Sequence, residues 1–133
     1  MDQLIAGPPP AAGSTIRFPR VLVVEDEPRL RMIIRANLEH RGVVVTEAGD
    51  AAEAIELGRK GQDLILLDIN LPDRTGWDVL RELHSIGVRA PAVVVSAVRI
   101  SPQHLREFGV IAYLPKPFPI DALVHLVVGG VRV

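Results

Sequence analysis

Four short apolar runs in this chain lead into side chains that can do chemistry. Val21-Leu22-Val23-Val24 runs into Glu25-Asp26-Glu27, and Leu64-Ile65-Leu66-Leu67 runs into Asp68. Ala92-Val93-Val94-Val95 runs into Ser96, and Val110-Ile111-Ala112-Tyr113-Leu114 is followed by Pro115 and Lys116. Brought together, these groups would form a crowded ionic site. Two carboxylates about 4 Å apart repel by roughly 4 kcal/mol at an effective dielectric of 20, so Asp68 and the first-run acids need counter-charge. Lys116 supplies one positive charge. The negative charge left over suits a hard divalent cation, Mg²⁺ (or Mn²⁺), held by carboxylates, a carbonyl and waters. A carboxylate beside such an ion can attack phosphorus and form an acyl phosphate. That reaction asks the protein chiefly for positioning and charge neutralisation.

The elements that must position these groups are legible in the hydrophobic pattern. The runs above, with Val43-Val44-Val45, are apolar at nearly every position. Such runs belong to parallel strands covered on both faces. Between them lie stripes at helical spacing: Leu30, Ile33, Ile34 and Leu38; Ala51, Ala54, Ile55 and Gly58; Val79, Leu80 and Leu83; a weak pair, Leu105 and Phe108; and Ile120, Leu123, Val124 and Val127. Leu126 and Val128 widen the last stripe, giving either a broadly buried helix or an apolar patch for a partner. Gly42, Gly61, Gly87 and Gly109 sit where left-handed caps end helices, and Ser101-Pro102 is a cap and first-turn pair. Strands alternating with helices imply a doubly wound α/β fold, one five-stranded parallel sheet of order 2-1-3-4-5 flanked by five helices. In that order Glu25, Asp26, Asp68, Ser96 and Lys116 all face one crevice at the carboxyl edge, where such sheets bind ligands.

Composition narrows the function further. The chain has 133 residues, 48% hydrophobic and 23% charged, enough for one domain with a real core. Fifteen basic and sixteen acidic residues leave a net charge of −1, which gives no sign of a direct nucleic-acid surface. The absence of cysteine removes disulfides and thiolate chemistry and fits a cytoplasmic protein. No run approaches the roughly 18 apolar residues that span a bilayer, so no membrane role is expected. Residues 1–19, with Pro8-Pro9-Pro10, Gly7 and Gly13, read as a flexible tail ahead of a folded domain over residues 20–133. His40, His84, His104 and His125 lack metal-ligand spacing and read as solvated surface. Trp77 reads as a cover for the core edge, and Glu27 as a first-turn acid complementing a helix dipole.

From Arg20 to Val128 the chain resembles the response-regulator receiver domains of two-component signalling. Four segments carry the resemblance: Val21 to Pro28, Leu66 to Pro72 with Gly76, Val93 to Ala97, and Tyr113 to Phe118. Each is weak alone, and all four in order are specific. The resemblance implies that Asp68 is the phosphoacceptor. It implies that Asp26 ligates the metal with Asp68 and the Asn70 backbone carbonyl, and that Glu25 holds metal-bound water. Glu25 stands where Asp is commoner in the family. Ser96 and Lys116 would bind phosphoryl oxygens, Tyr113 would be the switch aromatic, and Asn70 and Val98 would tune phosphoryl lifetime. Lys116–Pro117 is a candidate cis peptide. A histidine kinase or phosphotransfer protein would donate the phosphoryl group, and the face of strand 5 with helices 4 and 5 would switch and allow a homodimer. The protein would be a signalling receiver, not an enzyme beyond its own phosphoryl transfer and autodephosphorylation. Two other readings stand beside it. One is a magnesium-dependent phosphatase, which would want an acid where Asn70 is. The other is a phosphorylation-independent receiver scaffold, which would not need Asp26, Asp68 and Lys116 together.

Overall fold

The computed structural model describes residues 16–129. Its elements follow one another as β1 (Arg20–Val24), α1 (Pro28–His40), β2 (Val44–Ala48), α2 (Ala51–Gly58) and β3 (Leu64–Asp68). Then come α3 (Gly76–Ser85), β4 (Ala92–Ser96), α4 (Pro102–Glu107), β5 (Val110–Pro115) and α5 (Ile120–Val128). All strand pairs are parallel, and the sheet order is β2-β1-β3-β4-β5, the expected doubly wound arrangement.

Two-sided covering explains why the central strands are apolar throughout. Val21, Val23, Leu64, Leu66, Val93 and Val95 face one layer, packed with Ile34 and Leu38 of α1 and Leu123, Val124 and Val127 of α5. Leu22, Val24, Ile65 and Leu67 face the other, packed with Ala51 and Ala54 of α2 and Val79, Leu80 and Leu83 of α3. Alternate residues thus serve opposite cores, and period two vanishes from the sequence. The four expected cap glycines all adopt positive φ, between 66° and 91°. Ser101 caps α4 by accepting from the His104 N–H.

Several expectations are corrected. The second strand runs Val44–Ala48 rather than Val43 to Val45, with Val43 buried just before it. As an edge strand open on one side, β2 accommodates Thr46 and Glu47, which broke the apolar signal. In α1, Ile33 is exposed and Asn37 is buried instead, its amide donating to the Ile33 carbonyl at 2.9 Å. His84 and His104 are not solvated surface. His104 stacks on Trp77 at 5.1 Å between centroids, Trp77 stacks on Phe108 at 5.3 Å, and His84 tilts against Phe108. Trp77 does cover a core edge, between α3 and α4. In α5 Val128 is buried and Leu126 half-buried, so the broadly buried reading holds there.

The tail expected over residues 1–19 lies outside the described residues as far as residue 15. Ile16 and Phe18 pack against the α1–α5 layer, and the Phe18 N–H donates to the Val127 carbonyl at 3.0 Å.

Candidate functional site

The carboxyl edge of the sheet gathers the predicted side chains because each follows, or ends, a strand in the same parallel direction. Asp68 ends β3 and is 4% exposed; Ser96 ends β4 and is fully buried. Glu25 follows β1, is 1% exposed, and continues the ladder by donating its N–H to Ala48 at 3.0 Å. Lys116 follows β5, and its N–H donates to the Ser96 carbonyl at 2.8 Å. The Lys116–Pro117 peptide is cis, as expected.

Lys116 is the hub. Its ammonium lies 2.9 Å from Glu25 Oε1 and donates to Asp68 Oδ2 at 3.1 Å. Glu25, Asp26 and Asp68 each offer an oxygen, and these oxygens lie within 4.8 Å of one another. Three carboxylates against one ammonium leave the cluster with excess negative charge. Burial pushes the Glu25 carboxyl above its ordinary 4.5, and the Asp68 charge adds to this, while the Lys116 hydrogen bond opposes it. Burial also pulls Lys116 down, but the hydrogen bonds to Glu25 and Asp68 outweigh it and hold the ammonium above 10.5. The donors are all oxygen, closely spaced and under-neutralised, which is the donor set of a hard divalent cation.

Around this hub the loops are fixed by short contacts. Glu25 Oε2 accepts the Glu27 N–H at 3.2 Å, and Glu27 is the N-cap of α1, accepting from the Leu30 N–H at 2.7 Å, one place ahead of the first-turn position expected of it. Asp68 Oδ1 accepts the Asn70 N–H at 3.1 Å, and Asn70 bridges to Thr75 to close the loop. Ser96 Oγ accepts the Val98 N–H at 3.0 Å, and the Tyr113 hydroxyl donates to the Val98 carbonyl at 3.1 Å. Val98 is therefore held at both backbone groups while the residue stays 52% exposed. Tyr113 packs against Ile69, Val94 and Ile100.

Sequence reasoning missed Asp73. Its two oxygens accept from the Ala51 and Ala52 N–H groups at 2.8 and 3.0 Å, joining the loop after Asp68 to the start of α2. These amides, Ala51 first, hold its carboxyl below the usual 3.8. Its partners lie some twenty residues away in sequence, so no local pattern announces it. The same loop has no room beside Gly76. A Cβ there would lie 2.8 Å from the Asp68 carbonyl oxygen and 3.0 Å from Ile69 Cα. Both are backbone atoms, so Gly76→Ala must displace the end of β3, with an expected loss of about 2 kcal/mol. Urea denaturation checks this; an unchanged midpoint would show that the loop yields freely.

Comparison with known proteins agrees with this geometry. Residues 21–128 match the family model described as response regulator receiver domain. The chain is 40% identical over 109 residues to the transcriptional regulatory protein PdtaR of Mycobacterium tuberculosis, covering 79% of this chain and 53% of that protein. It is 39% identical over 112 residues to the transcriptional activator protein PfeR of Pseudomonas aeruginosa, covering 82% of this chain and 36% of that one. The chain thus spans about half, or less, of the length of these curated relatives. Among solved structures, the response regulator TrrA of Thermotoga maritima, in complex with Mg²⁺-BeF, superposes with a TM-score of 0.68 at 30% identity, covering 78% of this chain and 91% of that one. The Francisella response regulator 1452 receiver domain gives a TM-score of 0.72 at 30% identity, covering 80% and 90%. A sheet of this order, an acid–ammonium hub at its carboxyl edge and a family match over nearly all the described residues lead to one conclusion: the chain belongs to the response regulator receiver domain family.

Proposed function

We propose that Asp68 accepts a phosphoryl group from a histidine kinase or phosphotransfer protein and that this chain is a phosphorelay receiver. The observation that carries the reading is the Lys116 ammonium held between buried Glu25 and Asp68, with Asp26 completing the acidic cluster. Asp26, Asp68 and the Asn70 carbonyl are the groups that would hold Mg²⁺. Both Glu25 oxygens already have partners in Lys116 and the Glu27 N–H, which suits an indirect role through metal-bound water. When bound, the ion supplies positive charge to the phosphoryl oxygens.

An Asp68 oxygen attacks phosphorus, the bond from phosphorus to the donor atom breaks, and the donor leaves with that electron pair. Lys116 then trades a carboxylate contact for a phosphoryl oxygen, and the buried Ser96 hydroxyl offers a second donor. Ser96 and Tyr113 both bind the backbone of Val98, so a shift of Ser96 reaches Tyr113 through one residue. That chain of contacts supports a switch at the face of β5, α4 and α5, the face on which a homodimer is expected. The isolated weakness of α4, which buries none of its own residues, suits a movable element. A cytoplasmic setting and a signalling rather than enzymatic role go with this reading. Asn70 in place of a second acid speaks against the phosphatase, and the complete acidic cluster with Lys116 speaks against the phosphorylation-independent scaffold.

Incubation with acetyl phosphate and Mg²⁺, followed by intact mass, tests the proposal: one phosphoryl group is gained, and none when the metal is chelated. No gain from acetyl phosphate or from a phosphorylated histidine donor would overturn it. A second expectation concerns lifetime. Asn70 and Val98 lie in the loops that follow β3 and β4, two residues beyond Asp68 and Ser96, and the exposed apolar Val98 side chain hinders approach of water. Val98→Ala should lose the phosphoryl group faster than the wild type in a mass-spectrometric time course, and equal decay would remove Val98 from this role.

A further inference from the structure

We propose that Arg31 is a positioning residue that sets the divalent-metal affinity of the acidic pair Glu25–Asp26, an inference that rests on the metal-dependent receiver reading above. Arg31 lies in α1, outside the acidic cluster, and its half-buried guanidinium makes two different bonds. Nη1 donates to the Glu25 carbonyl at 2.7 Å, and Nε donates to Glu47 Oε1 on β2 at 3.1 Å. The second Glu47 oxygen is held by Arg35 Nη1 at 2.5 Å.

The consequence is a clamp on one residue and the two peptides that flank it. The Glu25 N–H is fixed by the Ala48 carbonyl and its C=O by Arg31, so both backbone groups of the first acid are anchored to β2 or its partner side chain. The Glu25 carbonyl shares its peptide plane with the Asp26 N–H, so Arg31 fixes the plane from which Asp26 projects. A planar fork holds its donors in a rigid, spread geometry that reaches two acceptors on different segments, where the compact ammonium of lysine is a single point of charge. The guanidinium needs the space above Gly49, where a Cβ would lie 3.1 Å from Nη1. Groups that orient metal ligands from outside typically change metal affinity 10–100-fold when removed.

The sign of the effect separates this role from its rivals. Arg31 is a cation near an acidic cluster, so its charge alone weakens cation binding, and its removal by charge alone would tighten it. Loss of positioning does the opposite. The test is calorimetric titration of the metal-free protein with Mg²⁺, alongside amide hydrogen exchange at Asp26 and Glu27 without metal. Arg31→Met should weaken Mg²⁺ binding about tenfold and speed exchange at those amides. Arg31→Lys keeps the charge but not the fork, and it too should weaken binding. Glu47→Gln keeps one oxygen to accept from Nε and gives up only the Arg35 contact, so its Mg²⁺ affinity should stay close to wild type. Unchanged or tighter Mg²⁺ binding in both Arg31 variants would overturn the inference, even if their melting temperatures fell. A wild type that binds no Mg²⁺ would instead overturn the receiver reading on which it rests.

Discussion

Asp68→Asn will take up no phosphoryl group from acetyl phosphate and Mg²⁺ and will be at least as stable as the wild type without metal. The two halves of that result have one cause. Asp68 and Glu25 are both buried and both depend on the single Lys116 ammonium. Their closest oxygens, with that of Asp26, fall within 4.8 Å, where two like charges repel by roughly 3–4 kcal/mol at an effective dielectric of 20. The amide keeps one oxygen for Lys116 and gives up the Asn70 N–H contact, but it removes the negative charge, and the relieved repulsion outweighs that one lost hydrogen bond. It also removes the nucleophile, since an amide oxygen does not form a stable phosphoryl adduct. Urea denaturation in chelator and intact mass after phosphodonor treatment read the two halves separately. A phosphoryl group on the variant would move the acceptor elsewhere, and a large loss of metal-free stability would show that repulsion is not what the site stores.

Lys116→Met has the opposite character. It leaves Glu25 and Asp68 buried with no cation between them. Removing one partner of a buried ion pair costs about 3–5 kcal/mol, and the partial exposure of Lys116 places this case near the lower figure. The loss depends on pH with a definite sign. Burial already raises Glu25 above 4.5, so the folded protein keeps a proton that the unfolded chain has released. Stability therefore falls as pH rises from that ordinary value through the raised one. Without the Lys116 hydrogen bond Glu25 rises further, and the window widens. The variant should lose about 3 kcal/mol at pH 8 and less at pH 5, and Mg²⁺ should restore part of the loss by supplying the missing charge. Denaturant midpoints at the two pH values, with and without Mg²⁺, measure all of this. A loss that is the same at both pH values and indifferent to Mg²⁺ would mean that Lys116 acts only through packing.

The fold was legible because its signals are local. Val21 to Val24, Leu64 to Leu67 and Ala92 to Val95 are apolar at every position, which only a strand covered on both faces requires. The stripe Ala51, Ala54, Ile55 and Gly58 is fully buried, as its spacing implies. β2 was misplaced because an edge strand may carry Thr46 and Glu47, and the periodicity that marks the others is lost there. His104 was misread for a related reason: nothing in the residues around it shows that Trp77 lies across the α3–α4 gap.

By itself the sequence determined which side chains stand at the carboxyl edge of the sheet. Parallel strands all end on one side, so a polar residue closing an apolar run is placed by chain direction alone. Only the tertiary structure decided how those side chains share their charges. It put one ammonium between Glu25 and Asp68, the latter 48 residues from Lys116. It laid Asp73 on the start of α2 and spread the Arg31 fork between Glu25 and Glu47. These contacts depend on rotamers and distances between remote segments. Such quantities leave no periodic trace along a chain, while hydrophobic burial, which shapes the strands and helices, does.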